Sequence, residues 1–307
     1  MRAAFIADVP DWALHRQGLG LVKYGNVDGH TWDLLHVRPF DFSLEEVEKY
    51  DLIRVGAAGL LDYLRAQRHL PEHPKLICSL ASFKDESHHR VCIRQLGERI
   101  HGFMTVDHRL LPSLTPYGKP TISIQDRTDP DTFHPQTSLR PVAGPLRVGW
   151  AGSVRYWPGV KHPDLIERAC NQTEGVVFVR QDRELDGQKS AEEMAQWYNQ
   201  LDLYCVANIE ESPTPVPWIE AAACGIPVLG TPCGELYPPY HEVLPWTRIA
   251  QPSINAISAA LARAVSLQRD ALKTQGLAFY HQHQHLLYWG AGEAAKFTRF
   301  AAALCEE

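Results

Sequence analysis

No Cys-x-x-Cys pair occurs in this sequence, and its seven cysteines (Cys78, Cys92, Cys170, Cys205, Cys224, Cys233, Cys305) are scattered and odd in number. Such thiols suit a reducing compartment and argue against a disulfide framework or a zinc site. No apolar run approaches the length of a membrane span. The opening stretch Met1-Arg2-Ala3-Ala4-Phe5-Ile6-Ala7 meets Asp8 too soon for a secretory leader, so a cytoplasmic location is expected. Positive charge is not in excess: 30 Lys and Arg against 36 Asp and Glu leave a net charge of −6, which gives no global pull toward nucleic acid or anionic membrane. A phosphate-binding P-loop, G-x-x-x-x-G-K-[ST], is absent, and so is the G-x-S-x-G elbow of serine hydrolases. Asn171-Gln172-Thr173 spells a glycosylation sequon that a cytoplasmic chain leaves idle. Repeats and low-complexity tracts are missing as well.

What is present is an alternation. A chain of 307 residues with 45% hydrophobic content has material for two cores. Strands are expected at 3–7, 31–37, 52–55, 75–80, 102–106 and 121–124. Helices are expected between them at 12–24, 60–67 and 91–99. A polar break, Asp126-Arg127-Thr128-Asp129-Pro130-Asp131-Thr132-Phe133-His134-Pro135, precedes a second series with strands at 146–153, 176–179 and 201–206. Short apolar runs alternating with helices predict parallel β/α units and buried sheets. The tract Tyr280-His281-Gln282-His283-Gln284-His285 reads as helix rather than as a metal site, because no cysteine or carboxylate cluster accompanies it.

The densest signal lies between Glu210 and Gly230. A polar, proline-containing stretch (Glu210-Glu211-Ser212-Pro213-Thr214-Pro215) leads into Val216-Pro217-Trp218-Ile219-Glu220-Ala221-Ala222-Ala223-Cys224-Gly225, and Ile226-Pro227-Val228-Leu229-Gly230 follows as a strand. Pro217 suits a first helical turn, Ser212 or Thr214 could cap its amides, and Gly225 suits the left-handed position past a helix end. A helix start of this kind presents N–H groups and partial positive charge to a diphosphate.

This segment resembles the donor-binding signature of GT-B glycosyltransferases, especially the large retaining family 4, whose second half reads "EAMACG-PVV". In the first half this chain departs from the family's spacing: Ser212 stands eight positions before Glu220, Glu211 nine and Glu210 ten. The linker at 126–135 resembles the family's "NGVD-x-x-x-F-x-P" with its first three residues changed. Gly149-Trp150-Ala151-Gly152-Ser153-Val154-Arg155, with Lys161 beyond it, is similar to the family's glycine turn and basic pair.

The resemblance implies an α/β, GT-B architecture. Its parts would be an acceptor-side Rossmann-like domain at 1–140, a nucleotide-sugar domain at 141–285, and a C-terminal helix at 286–307 with the first domain as its candidate packing partner. It implies transfer of a sugar from a nucleoside diphosphate (UDP or GDP) to a hydroxyl, with retention and with no bound metal or tightly held cofactor. The catalytic candidates are Lys161, Arg155 and Glu211. Donor contacts are expected from Gly152, Ser153, Arg180, Glu210, Ser212, Pro213, Thr214, Val216 and Glu220, the last holding the ribose. Acceptor-side candidates are Asp8, Asp11, Trp12, Ser82 and His88, with Asp107-His108-Arg109 at a further strand end. A glycan or small-molecule acceptor is the first expectation. Hydroxymethylated DNA is the alternative, with Arg94, Arg99 and His101 as a local basic face. A sugar-nucleotide epimerase or a non-catalytic binding module could share the fold.

Overall fold

The computed structural model describes residues 1–7, 13–36, 47–55, 74–80, 93, 97–155, 159–208, 215–234 and 237–306. They form two compact units, Met1–Asp126 with Trp289–Glu307, and Arg127–Tyr288.

The first unit holds a six-stranded sheet of β1 (Arg2–Ala7), β2 (Thr31–His36), β3 (Leu52–Val55), β4 (Lys75–Leu80), β5 (Gly102–Thr105) and β6 (Thr121–Ser123), in the order β2-β1-β3-β4-β5-β6. All its pairings are parallel. Alternation splits the strand residues between two cores. Ala4, Ile6, Ile53, Val55, Leu76, Cys78 and Phe103 face one side. Ala3, Phe5, Ala7, Leu52, Ile77 and Met104 face the other, where helix α1 (Ala13–Tyr24) and the end of the chain cover them. Both faces are therefore buried, which is why these strands read as continuous apolar runs.

Arg54 breaks that apolar pattern. Fully buried, its guanidinium lies 3.8 Å over the Phe5 ring and donates to Gln17 Oε1 at 2.5 Å and Ser79 Oγ at 3.1 Å. Gln17 in turn donates to Asp126. Burial pushes the Asp126 carboxyl up to about 6, against the opposing field of Arg54. Of the expected helix at 91–99, Ile93 is helical and 97–99 form a turn; its other residues, like 60–67, lie outside the described residues.

The second unit carries β7 (Leu146–Gly152), β8 (Val176–Asp182), β9 (Leu203–Val206) and β10 (Val228–Gly230) in the order β10-β9-β7-β8, again parallel. Around it pack α2 (Pro163–Asn171), α3 (Ala191–Asn199), α4 (Val216–Ala223), α5 (Tyr237–Val243), α6 (Ile254–Leu267) and α7 (Arg269–Gln282). The segment 127–140, expected with the first domain, belongs here. Phe133 enters this core, the Gln136 amide donates to Asn199 Oδ1 at 2.7 Å, and Thr128 pairs with Leu287. Helix α8 (Ala291–Glu306) returns to the first unit, where Thr298 Oγ1 accepts from Trp32 Nε1 at 2.9 Å and donates to the Gly25 carbonyl.

Gly225 has φ +69°, the left-handed turn that ends α4 and lets the chain enter β10. Against that turn lies Gly276 of α7. A Cβ added at Gly276 would sit 2.2 Å from the Gly225 carbonyl oxygen and 2.8 Å from Pro227 Cδ. Replacing a helical glycine by alanine normally stabilises by up to about 1 kcal/mol. Here the obstacle is backbone, which cannot swing away. Gly276→Ala is expected to destabilise the protein by about 2–3 kcal/mol in urea unfolding, the scale of an overpacked core. A variant as stable as the parent would contradict this packing.

Candidate functional site

Strand order locates the crevice. From β7 the chain crosses to β8 on one side and then to β9 on the other, so the order reverses between β7 and β9. Open parallel sheets bind ligands outside the carboxyl ends of their strands at such a point. The pairing itself stops early there. Strands β7 and β9 are in register only at Val148↔Leu203 and Gly149↔Tyr204, while β7 runs on to Gly152. On the side where β9 no longer pairs with β7, a side chain serves Ala151: the Tyr204 hydroxyl accepts from its N–H and donates to its C=O, both at 3.1 Å. The sheet is thus open at its carboxyl edge without orphaned backbone groups.

Gly152 and Ser153 lie at that edge, with Lys161 beside them. A Cβ on Gly152 would stand 3.7 Å from Lys161 Cδ and 3.0 Å from the Trp150 ring, so the bare glycine leaves room for the lysine stem. Ser153 Oγ donates to Glu184 Oε1 at 2.6 Å. Arg155 is exposed, and neither it nor Lys161 forms an ion pair among the described residues. Arg180 differs. Paired to Asp182 and set 5.5 Å over the Trp150 ring, it is a committed cation and not one waiting for a ligand. Burial works against the charge of Asp182, but the bonds from Arg180 and Glu184 hold its carboxyl below the usual range.

Across the crevice, Val216 opens α4. Its cap position is taken by Pro215, which offers no side-chain bond, so the cap expected from Ser212 or Thr214 is replaced by a proline turn. Pro217 has no N–H, and Trp218 and Ile219 both donate to the Pro215 carbonyl. The helix start therefore offers the Val216 amide and the aligned peptide dipoles rather than a full set of free donors.

Glu220 comes one turn later than a first-turn position and is 1% exposed; its Oε2 accepts from Tyr198 Oη at 2.8 Å. The Tyr198 ring meets that of Tyr204 edge-on, 5.7 Å between centroids. Glu220 is thereby connected through two tyrosines to Ala151, next to the Gly152 turn. The tyrosines carried no motif in the sequence. Only their position in a helix and a strand flanking the signature could have singled them out.

Glu210, Glu211, Ser212, Pro213 and Thr214 lie outside the described residues, as do Asp8, Asp11, Trp12, Ser82, His88 and Arg94. In the first unit, Asp107 is buried and holds Arg109 through both carboxylate oxygens. Burial pushes the Cys224 thiol up to about 12, so it stays protonated inside the signature. Among the described residues no cluster of three or more His, Cys, Asp or Glu could hold a metal, and no helix is long and apolar enough to cross a membrane.

Comparison with known proteins fits this geometry. Residues 151–265 match the family model described as glycosyl transferases group 1. HepE of Anabaena, solved with UDP and glucose, superposes with a TM-score of 0.67 at 12% identity over 98% of this chain and 99% of its own. A glycosyltransferase of Rickettsia africae gives 0.65 at 13% identity over 100% and 99%. WaaG, a glycosyltransferase involved in lipopolysaccharide biosynthesis, gives 0.67 at 15% identity over 96% and 99%. No curated protein matches the sequence. The chain has the GT-B fold, and its second unit carries the glycosyl transferases group 1 match. The group 1 match spans the glycine turn, Lys161 and α4, the parts that the topology places at the switch point of the second unit.

One buried base supports α4 from behind. His241 is 8% exposed, 5.9 Å from the Trp218 ring, with Nδ1 3.1 Å from Thr247 Oγ1. Burial pushes it down to about 4, helped by the charge of Arg248 and opposed by a bond to the Leu244 backbone. A base neutral when folded but titrating near 6.5 when unfolded leaves stability intact above pH 6.5. That stability is lost as pH falls toward 4. At pH 5 the loss is about 2 kcal/mol. The Tm of the parent is expected to fall more than that of His241→Gln between pH 7.5 and 5; parallel pH profiles would contradict a neutral buried imidazole.

Proposed function

We propose that this chain is a glycosyltransferase that takes a nucleoside diphosphate sugar in the β7–β9 crevice and passes the sugar to an acceptor hydroxyl with retention of configuration. The observation that carries it is the switch point between β7 and β9, where the Gly152 turn with Lys161 follows β7 and the start of α4 follows β9; among the described residues Lys161 and Arg155 form no ion pair. That combination suits a diphosphate. HepE structures solved with UDP and with UDP-glucose support a uridine donor.

In this mechanism Lys161 and Arg155 offset the charge that builds on the departing diphosphate, and the Val216 amide adds the field of α4. Ser153 steadies the turn through Glu184. Glu220, held by Tyr198 inside a low-dielectric wall, takes the ribose hydroxyls, and Glu211 or Glu210 orients the sugar. The remaining donor contacts come from Ser212, Pro213 and Thr214. The acceptor's proton passes to the leaving phosphate oxygen on the same face, which is how retention would arise without a second carboxylate. Asp8, Asp11, Trp12, Ser82 and His88 are the acceptor-side residues of this proposal, on sequence grounds alone. The net charge of −6 favours a glycan or small-molecule acceptor over DNA, and the likeness to WaaG supports a glycan. Scattered cysteines, none of them paired in a disulfide among the described residues, fit work in the cytoplasm.

Transfer assays with labelled UDP- and GDP-sugars, with the product anomer read by NMR, test this directly. Lys161→Ala should lower turnover by about 10²–10³-fold, the scale for losing one preorganised charge contact at a transition state. Its Tm should be unchanged. Near-normal turnover would remove Lys161 from the mechanism.

A further inference from the structure

The second unit has a cavity of about 270 Å³ on the edge of the sheet opposite the crevice. It lies between the segment Thr137, Arg140, Pro141 and Val142 and the first turn of α7, with Asp270 and Lys273. Its floor is the ion pair of Asp202 and Arg269. Asp202 immediately precedes β9 and accepts from the Arg147 amide at the start of β7, so the cavity sits at the amino ends of these strands. Seven residues of β7 put it about 20 Å from the Gly152 turn, too far for one ligand of this size to reach both.

A charge inventory shows what the cavity lacks. Asp202 is already satisfied: Arg269 Nε reaches Oδ1 at 2.7 Å, while Arg269 Nη2 at 3.1 Å and the Arg147 amide at 2.8 Å share Oδ2. Arg269 also donates to the Gly144 and Pro145 carbonyls. That pair is a closed unit and adds no net charge. Two cations then face one exposed carboxylate, Asp270. Lys273 forms no ion pair among the described residues. Arg140 is 8% exposed, has no carboxylate bonded to it, and keeps a buried Nε without a partner. Its Nη2 is spent on the Cys224 and Gly225 carbonyls, at 2.7 and 3.0 Å. Burial holds its pKa below the usual range, opposed by the nearby Cys224 and by the field of Asp202, a carboxylate that Arg269 already neutralises. Helix α7 begins here without a side-chain cap, adding partial positive charge.

We propose that this cavity binds a small phosphate, inorganic or as the monoester of a short carbon chain. Lys273, Arg140, the Thr137 hydroxyl and the first turn of α7 supply donors, and Pro141 and Val142 form an apolar wall for the stem. A volume just below the roughly 300 Å³ of drug-sized pockets suits such a ligand and excludes a nucleotide sugar. Because Arg140 also holds the last carbonyls of α4, an anion here bears on the far end of the helix that opens the crevice.

The test is calorimetric titration of the full chain with inorganic phosphate, and separately with glycerol phosphate, each with and without saturating UDP. One saturable site that UDP does not displace is expected. Lys273→Glu should weaken it about tenfold or more, the scale of a lost charge-assisted bond, and Asp270→Asn should tighten it. Both positions are at the surface, so folding is spared. Absence of saturable phosphate binding, displacement by UDP, or an unchanged affinity in Lys273→Glu would overturn the site. Tighter glycerol phosphate than phosphate assigns the stem to the wall; equal affinities would overturn that part. Failure of UDP itself to bind would count against the function proposed above and leave this test intact.

Discussion

A single hydroxyl, that of Tyr204, lets the second sheet part at its carboxyl edge. Where β9 ceases to pair with β7, the Ala151 N–H and C=O would be left unsatisfied, and the cost of orphaned buried groups would favour closing the sheet. Tyr204 serves both groups, so the glycine turn at 152 is presented to a ligand and not to a neighbouring strand. The same ring meets Tyr198 edge-on, and Tyr198 anchors Glu220. The glycine turn and α4 are thus tied by two sets of buried hydrogen bonds joined through one aromatic contact.

Both units place polar chemistry at strand carboxyl ends and leave the amino ends to structural clips. In the first, Arg54, Ser79, Gln17 and Asp126 form a buried chain near the ends of β3 and β4. In the second, Asp202 and Arg269 tie the starts of β7 and β9 to α7. Arg140 is the exception on that side, a buried cation spent on helix carbonyls, and that imbalance is the ground for a second anion site.

Alternation was legible wherever a strand is buried on both faces, because such strands leave a dense apolar run between polar turns. β3 and β4 were readable to the residue, and β1 nearly so. β8 extends to Asp182, past the expected 179, because its last residues, Arg180 to Asp182, are polar and give no apolar signal; Arg180 pairs with Asp182 and Gln181 donates to the Gly187 carbonyl. Around the site, Gly225 and Pro217 could be found because each is demanded by a local backbone constraint. Arg180 could not be discounted from the sequence, as its neutraliser stands two residues away on the same strand. Tyr198, Tyr204 and Arg140 act through contacts made only after folding, and no spacing rule reports them.

The central claim is that a nucleoside diphosphate lies between the turn at 152–161 and the start of α4. Hydrogen–deuterium exchange with and without UDP measures it most directly. The account predicts slowed exchange in peptides covering 150–162 and 215–220, with little change in β1 to β6. Protection confined to the first unit, or none in either segment, would contradict it.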